Sequence, residues 1–192
     1  MRSLTSILAL MGSLSLSACF ISDAPLPGEV VPAATMAERL EIELGDQVQV
    51  TLLPDPDRMT LSVFDPEDQG GVRVYEDVRF LDGLNGYVIE TTIQIPTFFG
   101  YTKGYTYGFM ATDANAVLVY FFDPERVLDR TQATAEMDRT MRRHGAIVTD
   151  IHGLYEVTDP LQVEAGTLFA VHRLGMEPWH ILSRNSQSEL VQ

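Results

Sequence analysis

Apolar and polar residues alternate with a period of two through much of the chain. Leu40, Ile42 and Leu44 interleave with Glu41 and Glu43. Val48, Val50 and Leu52 interleave with Gln47, Gln49 and Thr51, and Met59, Leu61 and Val63 repeat the pattern. Successive strand side chains point to opposite faces, so this alternation predicts half-buried strands of an antiparallel sheet. Further strands are predicted over 72–80 and from Tyr87 to Ile95, where Tyr87, Ile89, Thr91, Ile93 and Ile95 share a face before Pro96. Gly45-Asp46, Pro54-Asp55-Pro56-Asp57 and the run from Asp82 to Gly86 carry the residues that turn a chain. Residues 105–112 and 116–122 predict a hairpin around Asp113-Ala114-Asn115.

The period changes after Phe122. Asp123-Pro124-Glu125 has the form of an N-cap, a first-turn proline and an early acid. A main helix is therefore predicted near 125–143, with Ala133, Met137 and Met141 on one face at i, i+4, i+8. Arg139, Arg142, Arg143 and His144 crowd its end, where the helix dipole favours cations, and Gly145 supplies the C-cap. Beyond it the pattern predicts a strand over 146–151 and a helical turn from Asp159-Pro160 to about Gly166. The last two strands are predicted at Thr167–Leu174 and Trp179–Ser183. The expected fold class is α+β, mostly antiparallel β-sheet built of hairpins and meanders, with that one main helix. Pro25, Pro27 and Pro32 suggest a Pro-rich tether over 19–36. A single domain is then expected over 37–183, and a flexible tail over 184–192.

Composition narrows the function classes. With 192 residues, 45% of them apolar, the chain has enough material for a core and too much apolar character for disorder. A formal charge of −14 argues against nucleic-acid binding, which needs a basic face. A single cysteine excludes an intrachain disulfide and any multi-cysteine metal site.

Residues 1–18 differ from the rest. Arg2 is their only charge, Leu4 to Leu16 is dominated by apolar and small residues, and no aromatic or acid interrupts them. This describes a secretory signal peptide, too short to span about 30 Å of hydrocarbon. Leu16-Ser17-Ala18-Cys19 follows at once and resembles the lipobox of bacterial lipoproteins. The resemblance covers residues 1–19. It implies cleavage between Ala18 and Cys19, a diacylglyceryl thioether on Cys19, and acylation, as with palmitate, of the freed amino group. Phe20 stands where an aspartate resembles an inner-membrane retention signal, which favours an outer-membrane address facing the periplasm. An ordinary signal peptide with an incidental cysteine is the alternative. Removing residues 1–18 takes away Arg2 and moves the formal charge to −15.

Chemistry within the mature chain is sparse. Asp150 and His152 would share a strand face, and His172 and His180 would sit on neighbouring strands of one hairpin. A hydrolytic or metal site could be built from these, yet no HExxH or HxH spacing accompanies them. Acid pairs at Asp55/Asp57, Asp65/Glu67/Asp68 and Asp113/Asn115 lack the loop pattern that collects six to eight oxygens around calcium. No nucleophile elbow or phosphate-binding glycine loop occurs, so no catalytic residue, metal or cofactor is assigned. The richest local feature is aromatic. Six of the 17 aromatics lie between Phe98 and Phe109, around the chain's only lysine, Lys103. Phe98, Phe99, Tyr101, Lys103 and Tyr105 form the candidate binding surface, because rigid rings stack on sugars and grip partners; core packing is the alternative for the same residues. The expected function is a lipid-anchored envelope protein acting as a non-enzymatic binding or accessory module. It would hold the membrane through Cys19 and meet another envelope protein or a glycan. The rival is a periplasm-facing hydrolase or metal-binding protein using His152, His172 and nearby acids.

Overall fold

The computed structural model describes residues 20–64, 71–97, 100–122, 131–149 and 153–184. The strands are β1 (Phe20–Ser22), β2 (Val30–Val31), β3 (Val48–Leu52), β4 (Met59–Phe64), β5 (Val72–Asp82), β6 (Tyr87–Thr97), β7 (Gly100–Thr112), β8 (Ala116–Phe121), β9 (Ile147–Val148), β10 (Tyr155–Glu156) and β11 (His180–Ser183). The helices are α1 (Ala33–Leu44), α2 (Thr131–Arg143) and α3 (Pro160–Phe169), which continues into a π turn at Ala170–Leu174. The sheet runs β3-β4-β5-β6-β7-β1-β10-β9, with β2 on β5, β8 on β7 and β11 on β8. Every pairing is antiparallel except β1 with β10. The α+β class dominated by antiparallel sheet is therefore the observed one. At the β7–β8 turn, the Asp113 carboxylate accepts the N–H groups of Asn115 (2.7 Å) and Ala116 (3.0 Å), which hold its pKa below the ordinary range.

Three expectations are corrected. The tether expected over 19–36 is part of the folded body from Phe20 onward. Phe20 is fully buried, Ile21 and Ser22 pair with Thr106 and Tyr105 of β7, and Leu26 is buried. Pro25 lies between Ser22 and Leu26, Pro27 follows Leu26 and Pro32 caps α1, all outside the strands, where no ladder N–H is required. Residues 40–44, read as a strand, belong to α1. Ala33, Met36, Ala37, Leu40 and Leu44 are its buried positions, a helical spacing, whereas Ile42 is 55% exposed. A window opening at Ala37 hides the first turn of that stripe. Residues 167–174, read as a strand, continue α3 through the π turn. Val163, Gly166, Thr167 and Ala170 are buried together, so the apolar run is a helix enclosed on several sides rather than a strand.

The central strands carry apolar residues on both faces because both faces are covered. Phe80, Ile89, Met110, Val119 and Phe121 face one core with Met36, Leu40 and Leu44 of α1 and the β3–β4 hairpin. Leu81, Val88, Tyr107, Phe109 and Tyr120 face a second core with Phe20, Met137 and Met141 of α2, and Val163 and Ala170 of α3. Among the described residues, both cores are built from Phe20 onward.

Helix α3 is locked in place by polar side chains. Glu164 is 3% exposed and accepts from Leu84 N (2.9 Å) and Asn85 Nδ2 in the β5–β6 turn. Gln162 accepts from Thr158 N (2.7 Å) and donates to His144 O (3.0 Å) at the end of α2. Gly166 permits the closest approach, since a Cβ there would stand 2.7 Å from both Met141 Sδ and Phe20 Cζ.

Replacing Phe20 with Ala is expected to cost about 3–5 kcal/mol, the usual loss for a buried phenylalanine. Urea denaturation of the chain beginning at residue 20 measures it. A loss within about 0.5 kcal/mol, typical of an exposed site, would return this segment to the role of a tether.

Candidate functional site

The residues around the expected binding surface lie on and beside the β6–β7 hairpin. The two strands pair from Tyr87↔Met110 to Thr97↔Gly100. The strand β5 joins β6 only along Tyr87–Glu90, and β1 joins β7 at Tyr105 and Thr106. From residues 93 and 104 outward, the two strands pair only with each other among the described residues, as an arm that extends past its neighbours. Phe98 and Phe99 lie outside the described residues. Lys103 is exposed and Tyr105 half-buried, both on β7. Tyr105 packs against the second core, so this part of the surface is shared between core and solvent.

An ion network fastens the base of the arm. Glu90 is fully buried on β6. Its Oε2 accepts from Arg79 Nη2 at 2.7 Å and from Leu26 N at 3.0 Å, and its Oε1 accepts from Arg58 Nη2 at 3.1 Å. Arg58 also donates to Asp77 O at 2.8 Å and lies 3.3 Å from Asp77 Oδ1. Lys103 Nζ donates to Asp77 Oδ2 at 3.1 Å. Both cations stand over the Tyr105 ring, Arg58 at 5.9 Å and Lys103 at 5.6 Å from its centre. Asp77 has a positive φ of 56° and sits where the β4–β5 register shifts, an irregularity that turns β5 from β4 towards β6. Two carboxylates and three cations thus hold a bulge, an arm and the segment after β1 together.

Beside this network, Tyr107 is fully buried and its hydroxyl shares a hydrogen bond of 2.5 Å with Ser22 Oγ, and both hydroxyls lie within hydrogen-bond reach of Ala24 O. Burial pushes the Tyr107 hydroxyl far above the ordinary tyrosine value. The Ser22 hydrogen bond opposes that shift, and the Glu90 charge reinforces it.

The histidines do not assemble. Asp150 and His152 lie outside the described residues. His172 is exposed on the π turn rather than on a strand, which removes the shared hairpin expected with His180. His180 is 2% exposed on β11 and its Nε2 hydrogen-bonds the Tyr75 hydroxyl at 2.7 Å, a satisfied core histidine. Among the described residues no group of three or more His, Cys, Asp or Glu is arranged to hold a metal ion. Cys19 and Ala18 also lie outside them.

A further feature arises between α2 and α3. A groove of about 410 Å³ opens there, lined by Glu136, Arg139, Thr140, Arg143, Phe169 and Arg173. The end of α2 is visibly basic in the sequence and is explained there by the helix dipole alone. Arg173 is hidden by its assignment to a strand, so its convergence with Arg139 and Arg143 has no signal short of the tertiary fold. No family model, curated protein or solved structure matches this chain.

Removing the Glu90 carboxylate strands two guanidinium groups in low dielectric. Glu90→Ala is therefore expected to lower unfolding free energy by about 3–5 kcal/mol, read from the urea midpoint. Tyr107 sets a second expectation. Its raised pKa keeps it neutral in the folded chain while the unfolded chain ionises. Stability is therefore intact below about pH 10 and falls as pH rises beyond it, by up to about 1.4 kcal/mol per unit. Tyr107→Phe should flatten that alkaline slope in pH-dependent denaturation, and an unchanged slope would remove Tyr107 as its cause.

Proposed function

We propose that this chain is a lipid-anchored protein of the bacterial cell envelope. It is held through Cys19 on the outer membrane, facing the periplasm, and acts as a non-enzymatic binding or accessory module. The observation that carries this reading is Leu16-Ser17-Ala18-Cys19 at the end of a short apolar run, with the only cysteine of the chain at its last position. Acylation supplies the attachment. Each buried CH₂ contributes about 0.8 kcal/mol, so one chain binds reversibly and two or three hold firmly. Among the described residues no helix is long and apolar enough to cross a membrane, and the anchor is the means of attachment in this reading.

The β6–β7 arm is the surface proposed to meet the partner, another envelope protein or a glycan. Phe98, Phe99, Tyr101, Lys103 and Tyr105 supply rings for stacking and one cation for a carboxylate or a hydroxyl-rich sugar. The network at Asp77 and Glu90 supports this reading because it fixes the base of the arm, so little conformational freedom remains to be lost on contact.

The anchor has a direct test. Cys19→Ser should abolish incorporation of labelled palmitate and leave the signal segment uncleaved. Continued acyl labelling of that variant would refute lipidation at Cys19.

A further inference from the structure

We propose that the α2–α3 groove is a phosphate-binding site and that the phosphate it takes is a lipid headgroup at the membrane surface. Three arginines, Arg139, Arg143 and Arg173, line the groove with a single acid, Glu136. Elsewhere among the described residues, five cations are paired with carboxylates. Arg39, Arg58, Arg79, Lys103 and Arg184 each have a carboxylate oxygen at 3.8 Å or closer. Arg139, Arg143 and Arg173 take part in none of these pairs, in a chain with 27 acids against 13 bases.

The helix dipole accounts for cations in the last turn of α2. Arg173 lies in the last turn of the π segment that ends α3, where a cation is favoured in the same way. The dipoles do not account for two helix ends presenting their arginines to one groove. Converging like charges repel, and an oxyanion between them relieves that repulsion. The planar fork of arginine fits phosphate with paired hydrogen bonds. Arg173 lies within the π turn at Ala170–Leu174, and such turns recur at functional sites. Phe169 adds an apolar wall, which suits the ester side of a phosphate better than a bare ion.

The source of the phosphate follows from the proposed anchor at Cys19, and here the inference rests on that reading. Phe20 is buried against the helices that form the groove, where a Cβ on Gly166 would meet both its ring and Met141. No spacer separates Phe20 from Cys19, so an acylated Cys19 holds the helical layer close to the bilayer. The overall negative charge opposes approach at long range. Screening confines that effect to about 8 Å at physiological salt, and within that distance the local cations dominate.

The test uses the chain beginning at Phe20, which contains every core residue among the described ones and carries no anchor, so its outcome is independent of labelling at Cys19. It should bind vesicles of equal parts phosphatidylcholine and phosphatidic acid, and not vesicles of phosphatidylcholine alone. Arg139→Gln and Arg173→Gln, both at exposed positions, should each weaken binding about tenfold, the loss of a charge-assisted contact. Glu136→Gln should tighten it, which a merely structural role would not produce, and inorganic phosphate should compete. Equal binding to both vesicle types, or binding untouched by the arginine substitutions, would overturn the site. Binding of inorganic phosphate with no vesicle binding would overturn the lipid as its source.

Discussion

A fully buried carboxylate governs this architecture. Glu90 has no access to water, and an unpaired charge in that position would cost several kcal/mol. Its oxygens take donors from three separate segments: Leu26 after β1, Arg58 in the β3–β4 turn, and Arg79 on β5. Each donor ties a separate piece of chain to β6. The three-residue strand β1 would be marginal alone, and so would the bend at Asp77 where β5 leaves one sheet partner for the next. A directional interaction settles these placements where apolar burial, being non-directional, would leave several arrangements near in energy.

The sheet is sandwiched, and that explains its composition. Adjacent residues such as Phe80 and Leu81, Val88 and Ile89, and Phe109 and Met110 serve opposite cores. Half-buried strands show clean alternation, and β4, between β3 and β5, does so with Met59, Leu61 and Val63 inward. The inner strands lose it because the second face also meets helices. Charge is sorted by the same layers. Glu90 inside the sheet is neutralised by Arg58 and Arg79, while Arg139, Arg143 and Arg173 lie on the helical layer.

Much of the sheet was legible. The strands from Val48 to Phe121 follow local alternation and turn residues, and each is long enough to display its period. The helix α2 was legible for the same reason, through Met137 and Met141. Less legible were the short or enclosed elements. In α1, Leu40 and Leu44 fit both a helix and a strand, and only Ala33 and Met36 decide between them. In α3, apolar residues on several sides erase the helical stripe. The prolines after Phe20 looked like a tether because their role depends on Leu26 and Glu90, which are 64 residues apart in sequence. Lys103 and Tyr105 stood out as a surface, while their ties to Asp77 and Arg58 did not.

By itself the sequence determined the elements whose patterns are local: the alternating strands, the main helix, the turns, the acidity, and the single cysteine with the signal-like segment before it. These follow from side-chain period and backbone preference within a few residues, which neighbours distant in sequence do not alter. The tertiary structure alone decided what depends on meeting at a distance. It set the burial of Phe20 under α2 and α3, the neutralisation of Glu90, the bend at Asp77 and the gathering of three arginines into one groove. In each case the energy comes from groups brought together across many residues, and no local pattern encodes that encounter.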